Sequence, residues 1–108
     1  MSKSEKVLPR EPTSEQVAKL LLLDLFIAFR DAPDDPASSG YYIGKMRYRG
    51  IHWLEDTASN YWTHPYKTFE EAFEKGLNPP ADYRWRLTPY ALDTARRYFS
   101  KWWPNYGS

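Results

Sequence analysis

Between Leu20 and Phe29, ten consecutive residues carry a single polar side chain, Asp24. In a chain of 108 residues such a run has to be buried on more than one side, which constrains how everything else packs around it. Upstream, Thr13 fits a helix N-cap, and Gln16 three residues later completes a capping box. The predicted helix runs from there to about Arg30. On a wheel of about 100° per residue, Glu15, Lys19 and Arg30 share one narrow polar sector, while Val17, Leu20, Leu21, Leu22, Leu25, Ile27, Ala28 and Phe29 cover most of the rest. One side of such a helix faces the core. The other is expected to meet a partner, with Leu20, Leu23, Phe26 and Ile27 as interface residues, Leu23 and Phe26 lying nearest the polar sector. Asp24 falls within the apolar arc and needs a polar partner if it is buried.

The run is well short of the roughly 20 apolar residues that span a membrane, and no secretory hydrophobic segment follows the polar Met1–Lys6 stretch. The chain has no cysteine, so disulfides, thiolate metal sites and cysteine nucleophiles are excluded and a reducing compartment is expected. A cytoplasmic location follows as the expectation. Fifteen Lys and Arg balance fourteen Asp and Glu, so no global field draws the chain to nucleic acid or to membranes. Locally the balance shifts: residues 1–39 hold five basic and seven acidic side chains, and residues 40–108 hold ten and seven.

Residues 1–12, with Pro9 and Pro12, are expected to form a flexible leader, and 13–108 a single domain. Asp31 to Gly40 has the composition of a loop. Tyr41 to Asp56 favours strand, with aromatic and β-branched side chains in alternation. Thr57 to Asn60 then fits a turn, and Tyr61 to Tyr66 a returning strand. Thr68 and Glu71 form a second capping box, opening a helix that Gly76 would close at its C′ position. Tyr83 to Leu87 fits a short strand. Thr88, followed by Pro89, begins a last helix expected to reach Trp103, with Leu92, Ala95, Phe99 and Trp102 on its apolar stripe. The fold class is α+β: an antiparallel hairpin, with a third strand in view, packed against three helices in the order α-β-β-α-(β)-α.

Period-two alternation divides the hairpin strand. Tyr42, Met46, Tyr48, His52 and Leu54 fall on one side and form the expected core face. Tyr41, Ile43, Lys45, Arg47, Arg49, Ile51 and Trp53 fall on the other, three cations interleaved with apolar rings and aliphatics. Such a face suits a protein partner, because Trp, Tyr and Arg concentrate binding energy. It also suits single-stranded nucleic acid, where cations meet phosphate and rings stack on bases. Trp53 is expected to be partly exposed, so that its truncation costs binding more than stability, and Trp62 on the returning strand lies within its reach. The last helix adds Arg96, Arg97, Lys101 and Trp103 as contact residues. Aromatic residues make up 18% of the chain, more rings than a small core readily encloses.

His52 and His64 are the only histidines. A three-residue turn would set them face to face beside Glu55 and Asp56, a metal or general-base pair; a one-residue slip would separate them. Phosphate-cradling glycine loops, a dinucleotide fingerprint and a nucleophile elbow are all missing, so no catalytic residue, metal ligand or cofactor is assigned. Three functional classes remain. The first is a non-catalytic protein-binding module, acting by self-association or within a larger complex as accessory subunit, adaptor or inhibitor. The second is a nucleic-acid-binding regulator using residues 45–53 and the basic C-terminal helix. The third is a small metal-dependent enzyme around His52 and His64.

Overall fold

The computed structural model describes residues 9–47, 50–56, 65–88 and 97–104. Its elements in chain order are α1 (Ser14–Leu22), β1 (Leu25–Arg30), a short 3-10 turn (Pro36–Ser38), β2 (Gly40–Arg47), β3 (Gly50–Asp56), α2 (Phe69–Leu77), β4 (Tyr83–Thr88) and β5 (Lys101–Trp103). The strands form one antiparallel sheet in the order β4-β3-β2-β1-β5. An α+β fold is therefore observed, with five strands where a hairpin and a third were expected.

The largest correction concerns the apolar run. Thr13 does cap α1, its hydroxyl accepting from the Gln16 N–H while the Gln16 side chain accepts from the Thr13 N–H. But the helix stops at Leu22. Leu23 and Asp24 donate back to the carbonyls of Leu20 and Leu21, and Asp24 turns the chain through φ 60°, a left-handed conformation that Asp tolerates better than most residues. The remaining apolar residues extend as β1, flanked by β2 on one side and β5 on the other. Phe26, Ile27 and Phe29 suit a pleated strand as well as a helix. The second buried side sought for a helix is the second face of a strand.

The two faces of the sheet carry separate cores. On the first, Leu25, Ile27, Phe29, Tyr41, Ile43, Leu54 and Trp103 pack beneath Leu20 of α1 and Phe69 and Ala72 of α2. Gly76 lies inside α2 rather than closing it: a Cβ there would come 2.9 Å from Ile43 Cδ1, so the missing side chain lets the helix settle on the sheet. On the second face, Phe26, Ala28, Tyr42, Ile51 and Trp53 pack with Met46, Phe99 and Trp102. Rings dominate there, with Phe26–Trp53 centroids at 5.6 Å and Trp53–Phe99 at 5.3 Å. Paired aromatics add to the area they bury. Two cores explain how so many rings are enclosed.

Three further expectations change. The hairpin is β2–β3, paired from Gly44↔Trp53 to Arg47↔Gly50, so its connection falls at positions 48 and 49 and not at Thr57 to Asn60. That expected turn, and residues 61–64 of the returning strand with Trp62, lie outside the described residues; at its end Tyr66 pairs with Tyr41 in a single antiparallel bridge. Of the expected last helix, residues 89–96 also lie outside them. Arg97 and Tyr98 are helical, but its two ends are strands: Thr88 completes β4, and Lys101–Trp103 is β5, bonded to β1. Tyr83 to Leu87 is a strand as expected. Among the described residues no helix is long and apolar enough to cross a membrane.

Candidate functional site

The hairpin register decides which side chains share a surface. Because Lys45 pairs with His52 and Met46 with Ile51, moving the turn to positions 48–49 puts Lys45 beside His52, on the face opposite Ile51 and Trp53. The expected aromatic-basic face is thus dismantled. Ile51 and Trp53 are 1% exposed and belong to the second core. Leu20, Phe26 and Ile27, expected at an interface, are buried as well. Trp103, expected as an exposed contact, sits in β5, where its indole N–H donates to Glu11 Oε1 at 2.9 Å. Arg49, Trp62, Arg96 and His64 lie outside the described residues. Among the described residues no group of three His, Asp or Glu could hold a metal.

On the helix-bearing face, one row crosses the sheet from Leu25 to Lys45, His52 and Leu87. Both helices lie over β1 and β2, so neither covers the outer half of this row. Lys45 and His52 are half-buried, and Leu87 is exposed. The Lys45 ammonium sits 4.5 Å from the centroid of Trp85, a cation–π contact that holds the amine over a ring. Arg47 is exposed and lies 3.5 Å from Asp24, tying the hairpin to the turn after α1. Asp24 is exposed, so its partner question is answered at the surface.

That turn exposes the longest run of apolar side chains among the described residues. Leu21, Leu22 and Leu23 are 59%, 84% and 45% exposed. They precede Leu25, the first residue of the row, so three leucines border the same end of the sheet as Lys45, His52 and Leu87. Of the four residues expected at an interface, Leu23 is exposed, although the helix whose polar boundary it was to border ends at Leu22. Sequence reasoning missed Leu21, Leu22, Trp85 and Leu87, although the apolar alternation of β4 was visible.

On the opposite face, β4 contributes Arg84 and Arg86. Glu55, 3% exposed, accepts from Arg84 Nε at 2.7 Å and lies 3.6 Å from Arg86 Nη1. Its Oε1, and the indole N–H of Trp53 two residues earlier, have no hydrogen-bond partner among the described residues. Nearby, Tyr42 donates to the Ser38 carbonyl at 2.6 Å; burial raises its phenol pKa, with Arg30 opposing. At the far end of α2, Arg10 engages Glu70 and holds its carboxyl below the ordinary range, and it also stacks on Phe69 at 4.6 Å. Lys101 is exposed and lies 3.5 Å from Glu11. Arg97 is exposed. No protein-family model, curated protein or solved structure matches this chain.

Proposed function

We propose that the chain is a non-catalytic protein-binding module, an accessory subunit, adaptor or inhibitor of a larger assembly. Its contact surface is the hairpin end of the sheet together with the Leu21–Leu23 ridge. The observation that carries this reading is the exposure of three consecutive leucines beside a row containing Lys45, His52 and Leu87. Single exposed leucines are ordinary; a contiguous apolar ridge rimmed by charge has the anatomy of an interface. The nucleic-acid alternative is weakened by geometry. Trp53 and Ile51 are buried on the face opposite Lys45 and Arg47, so the stacking ring and these cations do not line one phosphate track.

Leu22→Ser tests the reading. Leu22 is 84% exposed, so stability should change by no more than about 0.5 kcal/mol, while self-association or retention of a protein partner should fall by about tenfold or more. Sedimentation and affinity capture, with nuclease treatment, measure the second effect and denaturant melts the first. A wild-type chain that stays monomeric at high concentration and retains no protein removes the proposal.

A further inference from the structure

We propose that β4 is a docking edge at which an extended segment alternating acidic and apolar residues adds to the sheet as a sixth strand. This deepens the protein-binding reading and rests on it. Sheet order leaves β4 bonded to β3 alone among the described residues. It runs for six residues, against three for β5 at the other edge. An edge of that length presents a row of backbone donors and acceptors that another strand can pair with.

Side-chain chemistry selects the occupant. Arg84 and Arg86 share one face of β4, and their side chains are 62% and 49% exposed. They face one carboxylate, Glu55, between them. Each guanidinium has five N–H donors, so two cations sharing one carboxylate leave an excess of positive charge and unused donors on this face of the edge. A carboxylate on that strand completes an acid–base–acid row across the sheet. On the other face Trp85 is half-buried and Leu87 exposed, which asks for apolar residues at the alternate positions.

The same charges exclude a second copy as the occupant. Two β4 strands related by a two-fold axis normal to the sheet pair residues of equal parity. In the two registers that pair five residues of β4, Arg84 stands opposite Arg86 of the other copy or Arg86 stands opposite Arg86, and directly opposed like charges destabilise a strand pair. Charge on an edge is a device against self-pairing, and here it leaves the edge open to a strand of the opposite sign.

The experiment uses the full chain and fluorescein-labelled capped peptides matched to β4 in length, read by anisotropy. A peptide alternating Val and Glu should bind, and one alternating Val and Lys should bind at least about tenfold more weakly. N-methylating the Val/Glu backbone at every second residue, on whichever side faces β4, should abolish binding. Arg86→Glu should reverse the preference between the two peptides. The peptide-side comparisons leave the chain unchanged, so they decide the matter even if that variant fails to fold. Equal binding of the two peptides, indifference to N-methylation, or no binding of Val/Glu overturns the proposal, as does a dimer that Arg86→Glu dissolves. If the peptides fail while Leu22→Ser still releases a protein partner, the edge proposal falls and the protein-binding reading stands.

Discussion

β1 and β4 are both strands of six residues, yet they carry opposite patterns. In β1, Leu25 to Phe29 are all buried, because each face of that strand lies under a core and each edge is bonded to a neighbour. In β4, apolar Tyr83, Trp85 and Leu87 alternate with Arg84 and Arg86, one face turned to each side of a sheet that ends there among the described residues. A strand's pattern therefore reports its position in the sheet. Continuous apolarity marks the centre, and it resembles a buried helix; alternation marks the rim. Exposed side chains concentrate at the rim, where, among the described residues, β4 is bonded on one side only.

The sharpest way to break this contrast is to truncate a ring in the second core. Trp53→Ala removes a side chain that is 1% exposed and touches Phe26, Tyr42 and Phe99. It should cost about 3–5 kcal/mol of stability, measured by denaturant melts. A loss confined to partner affinity, as the outer-face expectation required, would mean that Trp53 is a surface residue after all.

A smaller effect should follow from filling the gap beside it. A Cβ at Gly44 would stand 2.7 Å from Phe26 Cζ and 3.1 Å from Trp53 Cε3. Gly44→Ala should therefore destabilise by about 1–3 kcal/mol through overpacking. A neutral result would show that the ring cluster relaxes freely, and that the centre is less tightly specified than its burial suggests.

The smallest effect belongs to the rim. Leu87→Ser, at a position 38% exposed, should change stability by no more than about 1 kcal/mol in the same melts. A loss approaching that of Trp53→Ala would erase the distinction between centre and rim.

Much of the local structure was legible because it depends on neighbours in sequence. Thr13 with Gln16 and Thr68 with Glu71 mark both helix starts correctly, since a cap is decided within one turn. The β4 strand was legible from its alternation. The end of α1 was not. Nothing between Leu20 and Phe29 breaks a helix by propensity except Asp24, and whether Asp24 adopts a left-handed turn depends on how well β1 is paired once extended. The hairpin was misplaced for a related reason. Tyr41 to Asp56 favours strand throughout, so composition could not locate a two-residue connection at 48–49, and a shift of the turn moves Ile51 and Trp53 to the opposite face.

By itself, the sequence determined that this is a cysteine-free α+β chain with two capped helices, a strand-rich middle and more rings than one core would hold. Those properties follow from composition, capping and short-range periodicity. Only the tertiary structure decided that the apolar run divides between a helix and a central strand, that the rings sort into two cores, and that Lys45 shares a surface with His52 and Leu87 instead of Trp53. Each of those outcomes depends on pairing between residues far apart in the chain, and strand register, which no local window contains, assigns every side chain to its face.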